Sequence, residues 1–340
     1  MQRQSLRGDI LAPHAQTIHN HSAIFPIESY KPPVDPLSDV LSLLKVKSVL
    51  SARFEAAGPW ALRFPAYRHM KFGGVVKGSR WVWIEGVTDP VKMEEGDFCL
   101  LTDGSPYCFA SDPDVALQDG DAVFADHLDD DGIVRYGRGD TRAISVGGVF
   151  EFDDDVSGVL LGVLPPLVHV SANSPDARSL SAALELIRAE TESVRPGATA
   201  MAGSIANIVL MNILRAHLAA HPRSAGWLGA LSDPRIGAAL RIVHEDIARR
   251  WKVDALAEKV GMSRTAFIER FKELVGLPPL EYLIRWRMTM ARNALKTGND
   301  TLSTIAATVG YVSETTFSST FKRMFGQSPG RYRAEVRSRT

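Results

Sequence analysis

Two groups of side chains near the C-terminal end of the chain have the types and spacing to read a nucleic-acid duplex. The first is Ser263, Arg264, Thr265, Ile268, Glu269 and Lys272; the second is Ser313, Glu314, Thr315, Thr316, Ser318, Ser319, Lys322 and Arg323. Arg264 can donate two hydrogen bonds to guanine or hold a phosphate, and Glu269 can accept from cytosine. Lys272, Lys322 and Arg323 suit phosphate contacts, which position a protein without specifying sequence. Ser263 and Ser313 stand where a serine caps a helix, beside N–H groups that can also meet a phosphate. The second group is poor in long base-reading side chains, so it is expected to position the protein more than to specify sequence. Each of these residues taken alone reads equally well as a solvated surface side chain. The frame that holds them argues for more.

That frame is a pair of short helices, made twice. Leu256, Ala257 and Val260 fall on one helical face, and Gly261 stops the helix, because glycine takes the left-handed conformation without a Cβ clash. A second helix then carries Phe267, Phe271 and Leu274 inward, which makes a helix-turn-helix. Leu256, Ala257, Val260 and Gly261 recur as Ile305, Ala306, Val309 and Gly310. Ser263, Phe267, Phe271, Lys272, Gly276, Pro279 and Tyr282 recur as Ser313, Phe317, Phe321, Lys322, Gly326, Pro329 and Tyr332, with one residue inserted around Val312. A repeat that keeps caps, turn glycines and core phenylalanines while other positions drift repeats a structure. Between the copies, Leu280–Thr297 reads as one helix of about 27 Å. A spacer of that size suits two recognition helices set about one DNA turn apart, roughly 34 Å.

Through Trp251, Asp254–Ala257, Gly261–Arg264, Phe267, Arg270-Phe271, Gly276–Pro279, Tyr282, Trp286–Met288, Ile305-Ala306, Gly310-Tyr311, Phe317, Phe321-Lys322, Phe325-Gly326, Ser328-Pro329 and Tyr332-Arg333, the segment resembles the DNA-binding domain of the AraC/XylS family of bacterial transcription regulators. The resemblance runs from about Asp233 to Arg333. It implies promoter or operator double-stranded DNA as a partner, RNA polymerase as another, and activation as the commoner sign of regulation.

Charge agrees with this division. From Asp233 onward there are 19 Lys/Arg against 11 Asp/Glu, and the remainder carries 20 against 28, so a net charge of zero hides +8 and −8. The basic third is the one that must meet phosphate. Cys99 and Cys108 are the only cysteines and form no CxxC pattern. The N-terminus has no apolar signal sequence, and no stretch nears 18 uninterrupted apolar residues, so a cytoplasmic protein is expected.

The first two thirds read differently. Residues 1–36 are polar and proline-rich, a leader in which His14, His19 and His21 lack a carboxylate or thiol set to complete a metal site. An amphipathic helix is expected at Asp35–Leu44. Short alternating runs follow at Ser48–Phe54, Trp81–Ile84, Phe98–Thr102 and Ala143–Phe150, separated by Gly, Pro and Asp clusters, as in a small all-β sandwich or barrel. With Gly78–Ile84, Pro90–Leu101, Gly104–Pro106, Gly147-Gly148 and Leu164–His169, this part resembles the cupin-like sensor domain of one branch of the same family. A metal-binding cupin needs a His-x-His pair, whereas His69 stands alone here. No metal, cofactor or catalytic residue is therefore expected, and a cupin-type metalloenzyme with an appended DNA-targeting domain is the alternative reading. A DNA-repair protein with a similar helical domain would want a reactive cysteine and a zinc-binding cysteine cluster, which Cys99 and Cys108 do not supply. If the barrel binds a small-molecule effector, Phe64, His69, Trp81, Trp83 and Tyr107 are the candidate contacts. The acidic runs Asp129–Asp131 and Asp153–Asp155 read as solvated loops.

Ser179–Ala189 and Ala198–Ala220 are helical in period and form a hairpin. It either packs on the barrel or makes a homodimer interface, as the resemblance implies. The expected fold is α+β with two domains: a cupin-like β-barrel with a helical hairpin, then an all-α domain with two helix-turn-helix motifs joined by a linker helix. Their expected extents are a sensor and dimerisation domain at 37–220 (barrel 46–170, hairpin 178–220), a linker at 221–232, and a DNA-binding domain at 233–340. In that last domain motif one occupies 253–276, the linker helix 280–297 and motif two 302–326.

Overall fold

A computed structural model describes residues 35–44, 47–139, 141–152, 164–174, 177–191, 196–221 and 226–338. The leader's histidines and the acidic run at 153–155 lie outside the described residues. The chain opens with helix α1 (Pro36–Leu44), where Asp35 accepts from the backbone N–H of Leu37. Two sheets follow. The larger takes the order β11-β6-β3-β10-β1-β9, from β1 (Lys47–Ala57), β3 (Met70–Lys77), β6 (Phe98–Leu101), β9 (Ile133–Gly137), β10 (Thr141–Glu151) and β11 (Leu167–Val170). The smaller takes the order β5-β4-β7-β2-β8, from β2 (Ala61–Phe64), β4 (Arg80–Ile84), β5 (Val91–Met93), β7 (Tyr107–Ala110) and β8 (Gln118–Asp119). A short helix, α2 (Gly120–His127), is capped by the Asp119 carboxylate.

The sheets face each other across a core of Phe54, Trp60, Leu62, Phe64, Val75, Val82, Ile84, Met93, Cys99, Leu101 and Tyr107. The outer face of the large sheet is covered by helices α3 (Ala177–Thr191) and α4 (Ala198–Ala220), through Leu180, Leu184, Ile187, Ile205, Val209 and Ile213. This explains Phe98-Cys99-Leu100-Leu101, an apolar run with no alternation. Phe98 and Leu100 meet the hairpin, Cys99 and Leu101 meet the other sheet, and a strand buried on both faces needs no polar side. Ala200–Ala220 is long and apolar enough by composition to cross a membrane, but half of it is buried against the protein, as a core helix would be.

The expected linker at 221–232 contains helix α5 (Trp227–Ala230), all four residues of which are buried. Next comes α6 (Pro234–Glu245), capped by Asp233, which accepts from the N–H groups of Arg235 and Ile236. Motif one is α7 (Val253–Lys259) and α8 (Arg264–Val275); α9 (Pro279–Thr297) is the connecting helix; motif two is α10 (Leu302–Thr308) and α11 (Glu314–Phe325); α12 (Pro329–Ser338) closes the domain.

The apolar cores divide at an unexpected place. One continuous core runs from the large sheet through the hairpin and α5 into motif one, including Phe98, Ile213, Trp227, Leu240, Phe267, Phe271 and Trp286. Motif two has its own, built from Met288, Ala291, Leu295, Ile305, Val309, Phe317, Phe321 and Tyr332. A polar contact reinforces the first. The fully buried ring of His244 on α6 touches Asp39 Oδ2 of α1 at 3.0 Å through Nδ1 and Tyr282 Oη of α9 at 2.8 Å through Nε2. It also stacks on Trp286 at 4.3 Å.

Candidate nucleic-acid interface and barrel cavity

Each second helix of the repeat is held alike at both ends. Ser263 Oγ accepts from Ala266 N–H and Ser313 Oγ from Thr316 N–H, both at 3.3 Å. Gly276 and Gly326 end the helices in the left-handed conformation, their N–H groups donating to the carbonyls of Lys272 and Lys322. With Phe267 and Phe271 pinned inward on α8, and Phe317 and Phe321 on α11, the opposite faces are left to solvent. Arg264, Thr265, Glu269 and Lys272 are exposed and Ile268 half-buried. Glu314, Thr315, Thr316, Ser319, Lys322 and Arg323 are exposed and Ser318 half-buried. All the residues expected to meet DNA thus lie on or beside the outward faces of α8 and α11.

The two faces differ in how free they are. Arg264 Nη1 donates to both carboxylate oxygens of Asp254, at 2.8 and 3.0 Å, so the long side chain expected to read a base in motif one is held by the first turn of α7. Among the described residues, Thr315, Ser318, Ser319, Lys322 and Arg323 make no side-chain hydrogen bond or ion pair. The Asp254 partner had no signal in the repeat, because motif two carries Ser303 in the matching place.

The motifs are joined through one buried cation. Arg287 of α9 donates from Nε to the Ile247 carbonyl at 2.9 Å and from Nη2 to the Arg249 carbonyl at 2.8 Å. Gly310, the turn glycine of motif two, packs directly on this group and on the Ala248 carbonyl. A Cβ there would collide with both, and its φ of +79° is unfavourable to other residues. Burial lowers the Arg287 pKa, although Tyr311 and Asp246 act against that.

Between the sheets lies a cavity of about 180 Å³, lined by Phe54, Phe64, Lys71, Phe72, Arg80, Tyr107, Phe109, Phe124 and Ser145 among others. Of the expected effector contacts, Phe64 and Tyr107 line it, stacked on each other at 5.0 Å. His69 does not. It sits in the turn before β3 with a φ of +76°. Trp81 and Trp83 do not either, because in β4 the buried positions are Arg80, Val82 and Ile84, which turns both tryptophans to the outer face. This corrects the expectation, which took the bulky apolar side chains as the inward ones.

The same alternation sends Arg80 inside, where it is 3% exposed. Its guanidinium lies 4.2 Å from the centre of the Phe109 ring, Nη2 is 3.9 Å from Cys99 Sγ, and Nε has no partner. Gly73 makes room for it, since a Cβ at that position would collide with Nη2. Lys71 Nζ donates to Tyr107 Oη at 2.9 Å and sits over the rings of Tyr107 and Tyr67. Burial lowers the pKa of both cations and raises that of the Cys99 thiol, away from reactive thiolate character. The one hint of this in the sequence is the pair of glycine doublets. Gly73 and Gly147 fall opposite each other on β3 and β10 and leave space above them. Elsewhere, Asp129 is occupied by its own turn and by Arg135. Among the described residues no group of three or more His, Cys, Asp or Glu is placed to hold a metal ion.

Comparisons with known proteins match this division of the chain. A family described as Cupin matches residues 35–219, and a family described as Helix-turn-helix domain matches residues 256–335. A protein of Streptomyces lividans named as an AraC-like transcription regulator is 44% identical over 301 residues, covering 88% of this chain and 98% of that protein. The HTH-type transcriptional regulator AlkR of Acinetobacter baylyi is 28% identical over 311 residues, covering 89% of this chain and 100% of AlkR. Among solved structures, the DNA-binding domain of AdpA in complex with a target DNA is 33% identical, covering 32% of this chain and 96% of that one, with a TM-score of 0.30.

Proposed function

Because this chain belongs to the AraC-like transcription regulators, with a cupin domain before a DNA-binding helix-turn-helix domain, we propose that it reads two consecutive major-groove segments under the control of a small molecule bound in the barrel. The observation that carries the reading is the pair of identically capped helices, α8 and α11, at either end of the 19-residue helix α9. At 1.5 Å per residue α9 spans about 28 Å, near the roughly 34 Å between successive major grooves on one face of DNA. Arg264 and Glu269 read base edges from motif one. Thr265, Ile268, Thr315, Thr316, Ser318 and Ser319 fit against the groove floor and wall, and Glu314 stands at the start of α11. Lys272, Lys322, Arg323 and the capped N-termini at Ser263 and Ser313 hold phosphate.

The continuous core offers a route for control. Differential binding of an effector to two arrangements of the barrel would bias the hairpin, α5 and then motif one. In this reading the barrel is a sensor and not an enzyme, which the relatives' naming as regulators supports. The protein acts in the cytoplasm. A second copy joins through the hairpin, whose outer face exposes Leu186, Met201 and Ile208, and RNA polymerase is the downstream partner.

Binding-site selection with the full-length protein tests the reading. The expected product is a motif of two elements with centres one helical turn apart, about 10–10.5 base pairs. A single short element, or no preference, would overturn it.

A further inference from the structure

We propose that the cavity between the two sheets binds a small monocarboxylate with an apolar body, the carboxylate paired with Arg80 and the body packed on Phe54, Phe64, Tyr107 and Phe109. This rests on the reading of the barrel as the effector site and names the chemistry of its ligand.

The argument begins with an incomplete ion. Arg80 is almost wholly buried, and among the described residues no carboxylate reaches it; its polar neighbour is the Cys99 sulfur. Its Nε is an orphan donor, and Ser145 Oγ, which lines the same cavity, is an orphan too. Buried charges in folded proteins are ordinarily paired and their donors used. A guanidinium held over an aromatic ring, with Nε unpartnered and Nη2 against only a weak sulfur acceptor, therefore lacks a planar acceptor, and a carboxylate matches its fork. The position is built and not accidental. Gly73 supplies the space that Arg80 fills, and Gly147, opposite it, keeps the adjoining wall bare.

The rest of the cavity selects what the carboxylate is attached to. Lys71, the second cation, already donates to Tyr107, and Asp121 stands exposed on the same lining, so the cavity carries a net charge of one positive unit, which suits a monoanion. The remaining walls are mainly aromatic and aliphatic, so an inorganic anion would leave them unfilled. A volume of about 180 Å³ is close to that of an engineered cavity of about 150 Å³ that holds benzene. The body is thus a single ring or a short chain.

Calorimetric titration of the full-length protein decides the matter, with cyclohexanecarboxylate and hexanoate each compared with its uncharged amide, and with inorganic phosphate alongside. At least one acid should bind about tenfold or more tightly than its amide and raise Tm, and phosphate should not compete. Arg80→Met should abolish the preference and, by removing an unpaired buried charge, leave the ligand-free Tm equal or higher. Acid and amide binding alike, no binding of either acid at millimolar concentration, phosphate competing as well as the acids, or a preference that survives Arg80→Met would each overturn the proposal. If Arg80→Met does not fold, the acid-to-amide ratio of the unaltered protein decides alone. Affinity for the selected DNA separates this from the wider reading. An Arg80-dependent acid that leaves DNA affinity unchanged keeps the carboxylate site and removes the effector role. A neutral apolar compound that shifts DNA affinity, with no preference for acids, keeps the effector role and removes the carboxylate.

Discussion

Motif one and motif two have the same caps, the same left-handed glycines and the same phenylalanine pairs, yet they are built into the molecule differently. Motif one shares its core with the barrel and hairpin; motif two is a small separate core reached through α9. Motif one's outward face carries a long, partnered arginine, and motif two's carries short hydroxyls and unpartnered cations. Identical local structure thus sits in two different surroundings. One copy is continuous with the core of the barrel and hairpin, and the other stands on a core of its own.

The largest effects should come from cutting each core in turn. Phe271→Ala and Phe321→Ala each empty a fully buried site and should cost about 3–5 kcal/mol. Hydrogen exchange distinguishes them. Phe321→Ala should raise exchange in α10 to α12 and spare the barrel and hairpin, whereas Phe271→Ala should loosen α8 together with α5 and the hairpin. If Phe321→Ala opened the barrel and hairpin equally, the division into two cores would be wrong.

Arg287 comes next, because it ties the two motifs. Arg287→Met keeps the length of the side chain but strands the carbonyls of Ile247 and Arg249, at about 1–3 kcal/mol in a urea titration. It should also weaken binding to a two-segment site more than to a site with only the first segment. An equal loss on both would show that Arg287 supports motif one alone.

On DNA the comparison predicts unequal damage. Arg264→Ala should cost about 1–3 kcal/mol and relax preference at one base pair. Ser319→Ala should cost less and leave preference intact. Site selection with the two variants measures this directly, and equal relaxation would mean that motif two specifies as much as motif one.

The repeat was legible because its markers are local: serine caps, glycine stops and phenylalanines at helical spacing survive in any surroundings. The barrel was legible as a class but not in its interior. Its short strands β2 and β5 carry too few residues to show a period. In β4 the sequence Arg80-Trp-Val-Trp-Ile84 misleads, because hydrophobicity argues for tryptophans inward while the actual register buries the arginine. The contact between His244 and Asp39 spans 205 positions and joins side chains that carry no motif. Nothing along the chain announces that α1 is bound to the DNA-binding helices. The buried α5 escaped for the opposite reason, since four residues beside a proline and glycines read as a linker until their neighbours are known.

The smallest effect is the most informative about motif one. Asp254 and Arg264 are both well exposed, and such pairs contribute about 0–1 kcal/mol to stability. Asp254 also sits in the first turn of α7, where a carboxylate favours the helix N-terminus by a further few tenths of a kcal/mol. Asp254→Ala should therefore shift Tm only slightly. Its effect on DNA depends on what the pair does. If Asp254 merely occupies Arg264 when DNA is absent, the variant should bind its selected site somewhat more tightly and unrelated DNA more tightly still, since a negative charge has left the phosphate-facing surface. If Asp254 holds Arg264 in the orientation that meets a base edge, the variant should lose preference at the same base pair as Arg264→Ala while its affinity for unrelated DNA rises. Titrating both variants against selected and unrelated duplexes at one fixed salt concentration separates the two cases. We expect the first, because a single guanidinium nitrogen makes both contacts to Asp254 and leaves the others to turn toward the groove.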